Sequence, residues 1–240
     1  MSLPISVAVL IDGGFFLKRY YKVFPNSKDH TAAEVAKNLY TVALKHVGND
    51  NFLFRIFYYD CYPISKRVHH PITGQVINFE ATDQAKFRLE LFEELKKKRK
   101  VALRMGSLRD TGSWLIKPTV TKELLNGRMS INDVTENDVF YELHQKGLDI
   151  KIGLDVAALA FKKQVQQIVL ISGDADFVSA SKLARREGID FVLDPMWNPI
   201  DDTLFEHIDG LRSTCPKPNQ APFEPGSGPT PREPGTGNRY

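Results

Sequence analysis

The sequence predicts an α/β protein with a parallel sheet of about five strands flanked by helices. Short β-branched apolar runs alternate with segments whose apolar residues recur every three or four positions. The first run, Ile5 to Ile11, is apolar almost without interruption, as expected of a strand buried on both faces. The composition, 240 residues with 42% apolar and 25% charged, is that of a globular chain able to fill one core.

Taken in order, the first strand ends in Asp12-Gly13-Gly14, a turn signal. Ala32 to His46 carries Val35, Leu39, Val42 and Ala43 at helical spacing, with Thr31 placed to cap it. Phe52 to Tyr59 reads as the second strand. Asp83 to Lys98 places Phe87, Leu91 and Leu95 at four-residue steps with Phe92 alongside, a second helix, and Val101 to Leu108 follows as the third strand. Between residues 109 and 145, Gly112, Pro118, Gly127 and several Asn and Asp residues interrupt every period, so this stretch reads as an irregular insertion. Periodicity returns with an apolar helix from Leu154 to Lys163, a strand from Gln167 to Ile171, a helix from Phe177 to Glu187 stopped by Gly188, and a last strand from Ile189 to Leu193. Asp201 to Leu211 is expected as a closing helix. The ordered domain is therefore expected over residues 1–212, with a Pro/Gly-rich disordered tail over 213–240; Pro216 to Tyr240 alone holds seven prolines and four glycines.

Bulk features exclude several classes. There is no secretory leader pattern and no apolar run near the roughly 20 residues that span a bilayer, so a cytoplasmic protein without a membrane partner is expected. Cys61 and Cys215 have no CxxC spacing and are expected as free thiols. The six histidines form no HxxxH or HExxH pattern, which argues against zinc. A net charge of +3 does not by itself indicate nucleic acid. The basic run from Lys96 to Lys100 reads first as a solvated helix end, and Trp197 and the Tyr58-Tyr59 pair as packing residues.

The acids carry more information. In open parallel sheets the site lies beyond the carboxyl ends of the strands, where strand order reverses. Asp12 directly follows the first strand, and Ser172-Gly173-Asp174-Ala175-Asp176 directly follows the fourth. Asp155 lies at the start of the most apolar helix. Carboxylates gathered in this way repel one another unless a cation neutralises them, and a magnesium or manganese ion is the economical answer. Local explanations compete with this one: an Asx turn at Asp12, an N-cap at Asp174, and helix-dipole contacts for Asp155 and Asp176. Three separate segments placing acids at one sheet edge favour a shared pocket.

Three motifs, VAVLIDGGF, QKGLDIKIGLDVAALA and IVLISGDADFVSASKLARREG, together resemble the NYN domain, in its LabA-like branch, of the PIN-like nuclease superfamily. The resemblance covers residue 5 to about residue 211. It implies a sheet in the order 3-2-1-4-5, with the first and fourth strands adjacent. It also implies that Asp12, Asp155, Asp174 and Asp176 bind Mg2+ or Mn2+ and carry catalysis, with Lys146, Asp149 and Ser172 in supporting or substrate-binding roles. The chain departs from the family at Phe15, where many members place Asn three residues after the first Asp. The implied activity is metal-dependent hydrolysis of phosphodiester bonds in single-stranded RNA. A non-catalytic RNA- or partner-binding module on the same fold is the alternative. A haloacid-dehalogenase-like phosphatase is discounted because Asp12 is followed by Gly-Gly-Phe and lacks the Asp-x-Asp general acid. RNA is the expected partner, with a homodimer and a protein partner for the Pro-rich tail left open.

Overall fold

The computed structural model describes residues 3–218, and the greater part of the expected tail lies outside them. The chain divides into two compact units. The first comprises the chain up to Asp60, Glu90–Met105, and the chain from Gly147 onward; the second comprises Cys61–Leu89 and Gly106–Lys146.

The first unit is organised around β1 (Ser6–Asp12), whose Val7 to Ile11 are completely buried. This strand runs straight into α1 (Gly13–Val23), and α2 (Ala32–Val47) follows. Thr31 and Glu34 form the reciprocal cap of α2: the Thr31 hydroxyl accepts from the Glu34 N–H, and the Glu34 carboxylate accepts from the Thr31 N–H at 2.7 Å. Val35, Leu39, Val42 and Ala43 are buried, as their spacing predicts. β2 (Phe52–Cys61) pairs in parallel with β1 and continues two residues beyond the expected end of the strand. Tyr58 and Tyr59 on it are fully buried and belong to the core.

The second unit holds a short hairpin, β3 (Arg67–His69) with β4 (Val76–Asn78). α3 (Asp83–Lys96) leads to β5 (Val101–Ile116), which continues well past the expected end of the third strand. After it come α4 (Pro118–Leu125), two 3-10 turns at Ile131–Asp133 and Glu136–Asp138, and β6 (Val139–Lys146), antiparallel to β5. The stretch read as irregular is thus a strand, a helix and a returning strand. Its alternation is interrupted by an irregularity between Asp110 and Trp114, where Gly112 sits at φ 74° and three residues, Thr111 to Ser113, stand opposite the single Glu142.

Phe79, Tyr141, Trp114 and His70 form a chain of ring contacts at 5.2, 5.5 and 4.7 Å in this unit. Lys66 pairs with Asp110, and the Tyr141 hydroxyl donates to Asp110 at 2.6 Å.

Back in the first unit, α5 (Leu148–Phe161) begins six residues before its expected start, because Gly153 is an ordinary helical residue rather than a break. β7 (Gln167–Ile171), α6 (Val178–Arg186) and β8 (Asp190–Asp194) match their expected positions. The expected closing helix is only one turn, α7 (Asp202–Phe205). Asp209 ends it by bonding to β8: its carboxylate accepts from the Phe191 N–H at 2.9 Å, and its own N–H donates to the Phe191 carbonyl. The chain is thereby drawn into β9 (Gly210–Leu211), parallel to β8.

The sheet order is β6-β5-β2-β1-β7-β8-β9, and its inner five strands follow the expected 3-2-1-4-5 order. Order extends past the expected tail boundary. Asp194, completely buried, accepts from His46 Nε2 at 2.8 Å, from the Met196 N–H at 2.7 Å and from the Thr214 N–H at 3.3 Å. Trp197 Nε1 donates to the Cys215 carbonyl, so Ser213, Thr214 and Cys215 are buried, and both cysteines are free.

Candidate active site

β1 and β7 are neighbours, and their register aligns Ile11 with Ile171. Asp12 and Ser172 therefore leave the sheet side by side. The Ser172 hydroxyl, fully buried, donates to Asp12 Oδ2 at 3.4 Å, and the Phe15 N–H donates to Asp12 Oδ1 at 3.0 Å. The second bond makes Asp12 the N-cap of α1, so the local explanation for this residue is real. It accounts for only part of the environment, because the Asp12 carboxyl is held above the ordinary carboxylate range. Burial is the main cause, opposed by the Phe15 N–H and reinforced by the charges of Asp149 and Asp60.

Asp174 likewise caps the 3-10 turn Ala175–Phe177 by accepting from the Asp176 N–H at 3.0 Å, while its own N–H donates to Ser172 Oγ at 3.4 Å. Phe177, buried, anchors this turn. Asp149, in the first turn of α5, is also raised, by desolvation and then by the charges of Asp174 and Asp176. One electrostatic group therefore links Asp12, Asp149, Asp174 and Asp176.

Asp155 has partners of its own. Its carboxylate accepts from Tyr59 Oη at 2.8 Å and from Arg104 Nε at 2.8 Å, with Arg104 Nη2 closing a two-pronged ion pair. Asp60, which sequence reasoning did not single out, is fully buried next to the strand pair Asp12–Tyr59 and accepts from the Tyr58 hydroxyl at 3.1 Å. It is an acid at the end of an apolar strand, the same signal that drew attention to Asp12. Lys146 is the last residue of β6, in the second unit.

Phe15 also has a defined place. A Cβ on Gly173 would lie 2.7 Å from its ring, so the aromatic packs against the backbone between Ser172 and Asp174. Among the described residues no three acidic, His or Cys side chains converge tightly enough to cage a bare metal ion. Asp12 and Asp149, both raised mainly by burial, offer with Asp174 and Asp176 only hard oxygen donors, and such a set fits a hydrated divalent ion, which keeps several of its waters and takes only one or two carboxylates directly.

The NYN domain family model matches residues 78–196, a span that contains Asp149, Asp155, Ser172, Asp174 and Asp176 and begins after β1 and β2. The chain carries an NYN domain. NYN domains belong to the PIN-like nuclease superfamily, whose members typically use divalent metals, and this ties the chain to a nuclease-like, RNA-related function. A crystal structure of a protein of unknown function from Vibrio parahaemolyticus is similar at 14% identity and a TM-score of 0.43, over 88% of this chain and 93% of that one. Among curated proteins, none matches. No helix among the described residues is long and apolar enough to cross a membrane.

Proposed function

We propose that this NYN protein is a metal-dependent ribonuclease that hydrolyses phosphodiester bonds in single-stranded RNA, with Asp12, Asp149, Asp174 and Asp176 as its acidic centre. The observation that carries this reading is the coupling of these acids at the ends of β1 and β7. Asp12 and Asp149 are each raised above the ordinary carboxylate range, first by burial and then by neighbouring carboxylates, a condition that a bound cation relieves. A bound Mg2+ or Mn2+ would supply Lewis acidity and a water of lowered pKa. The chain's own part is positional. Ser172 and the Phe15 N–H fix the Asp12 carboxylate from two sides, and the Asp176 N–H fixes Asp174, so these groups need no reorganisation when substrate arrives. Asp155, expected as a ligand from the family resemblance, acts in this reading through its pair with Arg104, and Asp149 takes the ligand position.

The test is cleavage of single-stranded RNA in magnesium, manganese and chelator, with Asp12→Asn, Asp149→Asn and Asp155→Asn in parallel. Asp12→Asn and Asp149→Asn should each lose about a hundredfold or more in rate. Asp155→Asn should keep more than about a tenth of it, as expected of a group that does not bind the cation. Cleavage that survives chelation, or Asp12→Asn cutting as fast as wild type, would sink the proposal. Phe15 favours a second reading, an RNA-binding module without catalysis, because an apolar ring stands where many NYN proteins have Asn. RNA bound tightly but left intact in every divalent ion would select it.

A further inference from the structure

We propose that the outer face of the β5–β6 hairpin, formed by Arg109, His144, Lys146 and Phe140, is a binding strip for single-stranded RNA; this rests on RNA being the substrate in the reading above. The register pairs Ser107 with Lys146, Arg109 with His144 and, beyond the bulge, Leu115 with Phe140. Alternate residues share a face, so Phe140, Glu142, His144 and Lys146 line one side of β6, opposite Leu115, Arg109 and Ser107. The other side is already committed: Asp110, Trp114 and Tyr141 pack with Lys66, Phe79 and His70.

The outer face looks to solvent. Arg109, His144 and Lys146 are exposed, and Leu115 and Phe140 each keep 39% of their surface accessible. Arg109 lies directly opposite His144, with Lys146 next along the same side of β6, so basic groups gather on this face. Glu142 answers part of this charge. It pairs with His144 at 3.0 Å, and Thr111 and His144 hold its carboxyl below the ordinary range. Arg109 and Lys146 still outnumber it, and neither forms an ion pair among the described residues. Basic side chains in excess over the one acid, beside an exposed aromatic, are the combination a single-stranded nucleic acid uses, phosphates meeting the cations and a base stacking on the ring. An acidic protein would use the charges but would leave Phe140 and Leu115 without a matching flat surface.

The experiment is fluorescence anisotropy of a labelled single-stranded RNA of about twelve nucleotides with the full chain in chelator, where cleavage plays no part. The variants are Arg109→Gln/His144→Gln/Lys146→Gln together, Phe140→Ser alone, and Lys122→Gln/Arg128→Gln as charge controls elsewhere in the same unit. The triple variant should bind about tenfold or more weakly, with its salt dependence reduced by about 1.4 in slope, near 0.7 for each phosphate that Arg109 and Lys146 no longer neutralise. Phe140→Ser should lose about fivefold or more against RNA and little against an abasic strand of equal length. The controls should bind as wild type does. Strip variants that bind like wild type would overturn the inference, and so would heparin binding as strong as RNA binding with Phe140→Ser unchanged. If those variants also cleave normally, the strip falls while the nuclease reading stands. Wild type that neither binds nor cuts RNA removes both.

Discussion

Gly13 opens α1 with an ordinary backbone conformation, yet it has no room for a side chain. A Cβ there would lie 2.6 Å from the Tyr58 ring and hydroxyl and 2.7 Å from the Tyr59 carbonyl oxygen. Gly13→Ala should therefore cost about 2–3 kcal/mol or more, read as a lower denaturant midpoint, because one of the obstacles is backbone. Gly173→Ala meets only the edge of the Phe15 ring, and the cost should fall to under about 1 kcal/mol when Phe15→Ala makes space. Asp12→Asn should separate stability from activity. Asn caps a helix as well as Asp does, and it removes a carboxylate whose charge is opposed by burial and by Asp149 and Asp60. A carboxyl raised in this way subtracts stability once the pH exceeds the ordinary carboxylate range, so at neutral pH the variant should melt higher while cleaving less. Asp12, Asp174 and Asp176 were legible in the sequence because each closely follows an apolar strand. The engagement of Asp155 by Arg104 and Tyr59 was not, since it joins residues 51 and 96 positions apart that share no local pattern.

Among the elements, the β5–β6 hairpin offers a clear pH signature. Lys66 and Tyr141, then the Gly112 N–H, hold the Asp110 carboxyl at about 2, against an ordinary value of 3.8. A depressed carboxyl contributes stability that is complete above its unfolded value and is lost as the pH falls toward the folded one. The hairpin should thus loosen between about pH 4 and about pH 2. Asp110→Asn should flatten that part of the acid titration, followed through the fluorescence of Trp114. Helices with strong caps and one apolar face, such as α2, are legible almost residue for residue. α5 reads as apolar all round for a different reason: it buries Leu148, Ile152, Val156 and Leu159 but leaves Ile150, Leu154 and Phe161 exposed. β6 and the second half of β5 are not legible because bulged pairing depends on a partner strand some thirty residues away rather than on local periodicity.

For the whole molecule, apolar runs alternating with helices made the parallel sheet legible, whereas the central strand order came only from the family resemblance. The division into two units was not, because β5 passes through both without any linker composition. A cation that binds only the folded acids must raise the melting temperature by mass action, by about 2.7 kcal/mol of added stability at a hundredfold excess over its dissociation constant. Manganese should raise the melting point of wild type, and Asp149→Asn should blunt that rise; equal rises in both would place the ion elsewhere. The burial of Cys215 has a kinetic corollary. Its thiol is pushed far above the usual cysteine range, mainly by burial and then by the charge of Asp194, so it is inert until the segment holding it detaches from α2 and β8. The rate at which a disulfide reagent captures this sulfur therefore acts as a stopwatch on the segment from Ser213 to Cys215, counting excursions too brief and too rare to alter any equilibrium signal.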